Sequence, residues 1–393
     1  MQNSIKDQLS FIYFGGNDWW YHNRAHMDMQ LAKHFAKRGP TVYVNSIVMQ
    51  KLNLSNRRDF MARLVRKTKS IFTGLKKTDA GFWVFSPFTL PVHHIPIASW
   101  FNQLLLRLQI QHIAHRIGAY NPIVLAAIPA ACNTALKLEK RKLVYQRTDR
   151  FEEFIGIDVE TITKFDRKLK AEADLTIFVS KKLYEEESSQ CKNALFLDHG
   201  VDFDLFVSAC QDPYRPADIA NIPKPIIGYF GAIHWHTVNI ELIEKVAELL
   251  PHISFVLIGA AMSDCSHLFG KKNIWLLGQK PYEQIPHYGK CFDVAIMPWQ
   301  QNRWVEVCNP IKLKEYLALG KPIVSTPFSE LQNYKDVVYE ARTPEEFAER
   351  IKQALAENGS ERIEARQRKV QTATWDNKAQ LVLGELFGET REL

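Results

Sequence analysis

Lys312 and Glu315 stand three residues apart in the stretch NPIKLKEYLALGKPIVST, Asn309 to Thr326, and both are out of keeping with an otherwise apolar segment. Asn309 is a good N-cap, and Pro310 suits the first helical position, where no backbone hydrogen bond is lost. Leu313, Tyr316 and Leu317 recur at helical spacing and give an apolar face. Gly320 can take the left-handed conformation that ends a helix, and Pro322-Ile323-Val324 then reads as a buried strand. Residues three apart share a face, so the ammonium and the carboxylate lie together near the positive end of this helix. An ammonium beside free N–H groups is poor electrostatics unless an anion joins it. The pair therefore points to an anionic ligand, against the plainer alternative of a solvated Lys-Glu pair.

Other candidates flank predicted strands. In IIGYFGAIHWH, 226–236, a strand runs into Gly231, a turn where backbone can approach a phosphate. In NIWLLGQKPYEQIPHYGKCFDVAIMPW, 273–299, the loop around Gly278 can hold a nucleobase edge through backbone groups. GGNDWWYHNRAHMD, Gly15 to Asp28, follows the first strand. There Gly15 and Gly16 permit a tight loop, while His22, His26 and Asp28 are candidates to face a cleft. Trp19 and Trp20 can stack on a sugar or fill a core. Histidines four apart can hold a metal, but Asn23 replaces the glutamate of HExxH, so no metal is expected.

The elements that must position these residues alternate between strand and helix. In the first half, strands are predicted near 10–14, 41–45, 82–86, 123–127, 142–147, 174–179 and 193–197, with helices near 23–38, 98–117 and 159–172. Strands follow near 226–230, 254–258, 273–276, 292–296 and 322–326, then helices after 343 and 360. The alternation argues for α/β architecture: two doubly wound, Rossmann-like domains facing a central cleft. Ligands in such sheets sit beyond the carboxyl ends of the strands. The expected division is a first domain over 1–206, a Pro-containing linker over 207–225, a second domain over 226–370 and a C-terminal helix over 371–393 that packs back on the first.

At 393 residues, two domains are the natural expectation. With 46% apolar and 24% charged residues, the composition is that of a globular protein. No apolar run approaches a membrane span, and the first residues lack the layout of a secretion signal. Six cysteines without a CxxC pair argue against structural zinc or a disulfide framework, so a cytoplasmic setting is expected. Residues 1–205 hold 29 Lys and Arg against 20 Asp and Glu. Much of that excess falls in Lys51–Lys77, with nine basic residues, one acid and apolar Phe60, Leu64, Ile71 and Phe72 between them. Such a segment reads as a surface for anionic lipid, less well for nucleic acid, or as an ordinary solvated helix.

The ordered set of Gly231 strand, Gly278 loop, FDVAIMPW and NPIKLKEYLALGKPIVST resembles the donor domain of GT-B fold glycosyltransferases, the "group 1" family that builds bacterial envelope polysaccharides of teichuronic-acid and exopolysaccharide type. AEADLTIFVSKKL (171–183), HGVDFDLF (199–206) and TWDNKAQLVLGELF (374–387) resemble that family too. The likeness is weak before residue 140. It implies a transferase that uses a nucleotide-sugar as co-substrate, with no cofactor, and a lipid-linked or saccharide acceptor. By position it implies that Lys312 contacts the donor diphosphate and Glu315 the ribose, with Gly231, His234, Gly278 and Asn309 around them. Gly15, Gly16, Trp19, Trp20 and Asp28 fall on the acceptor side. Two departures stand out. The family's earlier glutamate is replaced by Val307, with Glu306 one residue off, which puts retention of configuration in doubt. His234, Trp235 and His236 occupy the place where a basic residue often follows the glycine loop. Asp149, after the strand KLVYQR, then becomes the candidate base of an inverting reaction, with His22 and His26 behind it. Asp202-Phe203-Asp204 spells the DxD metal motif of a different transferase fold, but here resembles the family's Gly-Val-Asp crossover. An epimerase of the same fold and a DNA-modifying transferase remain alternatives.

Overall fold

The computed structural model describes residues 8–22, 24–45, 47, 65, 69–88, 96–154, 156–262, 265, 268, 270–357 and 359–388. Most of the basic segment Lys51–Lys77, including Phe60 and Leu64, lies outside the described residues. The chain divides into two units: residues up to Asp198 together with those from Lys378 onward, and His199–Asn377.

The first unit is built on β1 (Phe11–Phe14), β2 (Thr41–Val44), β3 (Leu75–Lys77), β4 (Trp83–Phe85), β5 (Ile123–Ala126), β6 (Lys142–Arg147), β7 (Leu175–Phe178) and β8 (Ala194–Phe196). They form one sheet in the order β3-β4-β2-β1-β5-β6-β7-β8. Phe11 pairs with Thr41 on one side and Ile123 on the other, both in parallel register. Every residue of β1, β2 and β5 is buried, as near-continuous apolar runs require when helices cover both faces. Helix Val159–Glu172 starts where the Asp158 side chain accepts from the Thr161 N–H. The antiparallel strand β3 was not expected from its sequence. Its two lysines suit an edge, where charge discourages further pairing.

The second unit carries β9 (Ile226–Phe230), β10 (Ser254–Ile258), β11 (Ile274–Gly278), β12 (Val294–Met297), β13 (Ile323–Ser325) and β14 (Tyr339–Glu340). Their order is β11-β10-β9-β12-β13-β14, all parallel. The order reverses between β9 and β12, which opens a crevice beyond their carboxyl ends. Helix Ile240–Leu249 turns Ile243, Val246 and Ala247 into the core, and its Asn239 cap accepts from the Leu242 N–H.

The expected linker over 207–225 is a correction. Helix Phe203–Gln211 runs through its first part and helix Ala217–Ala220 through its second. Phe206, Ala209, Ile219 and Ile222 are buried, so a few well-spaced apolar residues outweigh the prolines around them. The division falls between Asp198 and His199, eight residues before the expected 206. Helix Trp375–Phe387 ends the described chain; on the first unit Glu385 accepts from Asn193 at 3.1 Å, and Lys378 pairs with Asp198.

Candidate functional site

Three neighbouring strands of the second unit end in glycine, and each has a reason. Gly231 follows β9 with φ 138°; a Cβ there would lie 2.5 Å from Lys312 Nζ. Gly259 follows β10, where a Cβ would fall 1.9 Å from the Gly231 carbonyl oxygen. Gly278 closes β11 with φ 70°. The Gly231 N–H donates to Ile258 at 2.8 Å and the Gly259 N–H to Gly278 at 2.9 Å. The result is a low floor of backbone beside the crevice. Gly259 escaped the sequence reading because a lone glycine after a strand carries little signal.

Lys312 rises from helix Ile311–Ala318. The expected cap at Asn309 is a correction: Pro310 takes the cap position in extended conformation, without a side-chain cap bond, and the helix begins one residue later. Lys312 Nζ donates to the Tyr229 hydroxyl at 2.8 Å. It also lies 4.5 Å from the Tyr229 ring centroid and 5.6 Å from that of Trp299. Such cation–π contacts hold the ammonium without neutralising it.

Glu315, one turn on, is only 4% exposed. Burial pushes its carboxyl up to about 7; the Lys312 ammonium and then the Tyr282 hydroxyl pull it back, while Asp202 pushes it further up. Its Oε1 is buried without a hydrogen-bond partner. Leaving such a group unpaired costs about 1–3 kcal/mol, more for a charged one, and a ligand hydroxyl would remove that cost. Tyr229 and Tyr282 were not foreseen, because nothing in their local sequence separates them from core aromatics.

His234 accepts the His236 N–H on Nδ1 at 3.1 Å. Its proton therefore sits on Nε2, which remains a donor. Burial first, then His236, push its pKa below the ordinary value, which favours the neutral ring. His236 Nε2 and Trp299 Nε1 are also buried without partners.

In the first unit the candidates separate. Trp19 is buried, in edge contact with Tyr43 and Phe82, and is core rather than a sugar platform. Asp28 is likewise corrected. It is 3% exposed and accepts from the Gly16 N–H at 2.7 Å, the Tyr43 hydroxyl at 2.7 Å and the Met29 N–H at 3.0 Å. Its oxygens brace the loop after β1. Gly15 is required by the Tyr43 hydroxyl, 2.0 Å from where its Cβ would stand. Trp20 is half-buried with Nε1 unpartnered. His22 and His26 are exposed. His22 sits in a turn and His26 at the cap of helix Met27–Ala36, so no shared helix presents them as a pair. Among the described residues, no cluster of three His, Cys, Asp or Glu is placed to hold a metal.

Asp149 lies just beyond β6, half-buried. Burial pushes its carboxyl up to about 6, against the Thr148 hydroxyl and then the Arg147 charge. Arg147 itself pairs with Glu152 at 3.0 Å, Glu187 at 3.1 Å and Asp166 at 3.5 Å, while its Nη1 is buried without a partner.

Residues 224–357 match the family described as glycosyl transferases group 1. TuaH of Bacillus subtilis, provisionally assigned as a teichuronic acid biosynthesis glycosyltransferase, is 25% identical over 256 residues, 60% of this chain and 64% of that protein. Sucrose-phosphate synthase from Thermosynechococcus elongatus superposes with TM-score 0.68 at 15% identity, over 97% of this chain and 98% of that one. HepE of Anabaena, in complex with UDP-glucose, gives TM-score 0.59 at 15% identity, over 96% and 95%. The fold is GT-B.

Proposed function

We propose that this chain, whose residues 224–357 belong to the group 1 glycosyl transferases, moves a sugar from a nucleotide-sugar donor to an acceptor hydroxyl. Envelope polysaccharide or glycolipid assembly is the setting the likeness to TuaH supports. The observation that carries the reading is the Lys312–Glu315 pair. Among the described residues, the ammonium is held by a neutral hydroxyl and two rings, and it stands beside a buried carboxylate oxygen that lacks a partner. A nucleoside diphosphate satisfies both, with phosphate on Lys312 and ribose hydroxyls on Glu315. Gly231 and Gly278 let its phosphates and base approach backbone, and His234 Nε2 adds a neutral donor.

Bond breaking at the anomeric carbon leaves charge on the diphosphate. Lys312 and the N–H groups opening its helix stabilise that charge without a metal. Asp149 takes the proton of the attacking acceptor hydroxyl. A carboxyl with pKa about 6 is ionised at neutral pH yet basic enough for the task. With Val307 where the family's earlier glutamate stands, inversion at the anomeric carbon is the outcome we favour. Trp20, His22 and His26 remain for acceptor contact. The enzyme would work in the cytoplasm, peripheral to an anionic membrane bearing a lipid-linked acceptor. Nucleic acid is disfavoured as a partner.

A thermal-shift screen of UDP-, GDP-, dTDP- and ADP-sugars, with and without EDTA, tests the reading, because ligand stabilises by mass action. At least one nucleotide-sugar should raise Tm in EDTA as it does without. A flat response to all four classes overturns the reading.

A further inference from the structure

Helix Pro96–Arg116 covers the first unit's sheet, and a surface helix ordinarily turns a polar face outward. This one is apolar on both sides over Trp100–Leu108, with exposed Gln111, His112 and His115 following toward its end. Leu106, Ile110, Ile113 and Ala114 form the buried face. On the opposite side Phe101 is 46% exposed and Leu108 53%, two turns apart, with half-buried Leu104 and Leu105 between them. Trp100, 60% exposed, flanks that stripe.

The apolar surface continues off the helix. The Gln109 side chain donates to the Phe88 carbonyl at 2.9 Å and accepts from the Phe88 N–H at 3.1 Å, which fixes a third exposed aromatic beside it. Phe72, in the same part of the chain, is 86% exposed. Isolated exposed apolar residues need no explanation, but a contiguous group of this kind marks an interaction surface.

Its charge narrows the partner. From Phe60 to Arg116 the chain carries eight Lys and Arg and one acid, Asp79, and the 21-residue helix has no acid at all. Lys69, Lys76, Lys77 and Arg116, all from this stretch, are exposed. A second copy of this surface would set like charges against each other. A nucleic acid could take the cations and aromatics but offers leucines nothing. An anionic bilayer takes all three, with leucines in the acyl boundary, Trp100 at headgroup depth and lysines on lipid phosphates.

We propose that the outer face of helix Pro96–Arg116, with Phe88 beside it, docks this protein on an anionic lipid bilayer in the plane of the interface. The proposal deepens the peripheral-membrane part of the function above but does not depend on the nucleotide assignment. The test is co-sedimentation of the full chain with phosphatidylglycerol–phosphatidylcholine vesicles and with phosphatidylcholine vesicles. Wild type should bind the anionic vesicles and bind the neutral ones much less. Replacing Phe101→Ser and Leu108→Ser together removes apolar area at constant charge, and should weaken binding at least about tenfold. Brominated lipid should quench the Trp100 emission of wild type, read against Trp100→Phe. Three results overturn the proposal: no binding by wild type, undiminished binding by the double variant, or a vesicle-free dimer that the double variant abolishes. Nucleotide-sugar thermal shifts on the double variant serve as the internal control. They should equal wild type, so failure of docking and failure of the donor assignment read separately.

Discussion

Glu187 in the first unit and Glu315 in the second are both buried carboxylates close to a cation, yet they are used in opposite ways. Glu187 accepts from Arg147 and from Lys170, each near 3 Å, with Lys170 also 2.8 Å from Asp166. Burial pushes its pKa up, but the hydrogen bonds and charges of Arg147 and Lys170 overcome that and hold it below the ordinary value. Glu315 has Lys312 nearby, but the ammonium donates to Tyr229 and acts on the carboxylate through its charge alone, so burial wins. One carboxylate is a finished structural part, and the other is left incomplete. The contrast teaches that burial beside a cation does not by itself set the pKa of a carboxylate; the hydrogen bonds it receives do.

The largest effect should come from Asp149, the base assigned outside both clusters. Asp149→Asn keeps size but cannot take a proton, so turnover should fall roughly 10²–10⁴-fold while nucleotide affinity holds. In wild type, activity should decline as pH drops through about 6, where the carboxyl protonates. An Asn variant with wild-type turnover, or a retained anomeric configuration by NMR, would remove that role.

Breaking the finished cluster should cost nearly as much, but in stability. Glu187→Gln leaves Arg147 and Lys170 buried and underpaired, a loss of about 3–5 kcal/mol in urea unfolding at neutral pH. Because the folded pKa of Glu187 is depressed, its contribution is present above the unfolded value and lost as pH falls through the folded one. A loss below about 1 kcal/mol at pH 7 would mean that the cluster is not a brace.

Opening the incomplete pair should act on ligand instead. Lys312→Ala and Glu315→Ala should each weaken nucleotide binding by roughly 1.5–3 kcal/mol, the range for hydrogen bonds to charged groups. Calorimetry with unchanged affinity in both variants would return the pair to ordinary surface chemistry.

The smallest effect has the opposite sign to that of Glu187. Glu315 ionises near its ordinary value when unfolded but at about 7 when folded, so its ionisation removes stability as pH rises through that window. Glu315→Gln should therefore be more stable than wild type by about 1–3 kcal/mol at pH 8, and near parity at pH 4. A glutamine variant that is less stable at pH 8 would show that the carboxylate has a partner after all.

Much of this was readable in one dimension. Apolar runs of strand length between helical patterns dictated two largely parallel sheets, because only buried strands tolerate such continuous apolarity; the antiparallel edge strand β3 carries no such run. The helix after residue 309 and the shared face of Lys312 and Glu315 followed from spacing alone. Tertiary structure decided what spacing cannot encode, namely who satisfies whom. Asp28 and Glu315 look alike as carboxylates beside a glycine loop or a lysine. Asp28 is spent on Gly16 and Tyr43, partners 12 and 15 residues away, while Glu315 keeps an oxygen unpaired. Trp19 and Trp20 are adjacent, yet one is core and the other half-exposed, because Tyr43 and Phe82 close over Trp19 alone. The outward apolar face of helix Pro96–Arg116 was hidden for the same reason. Apolar residues spread around a helix read as buried until the sheet claims one side and leaves Phe101 and Leu108 on the other to the solvent.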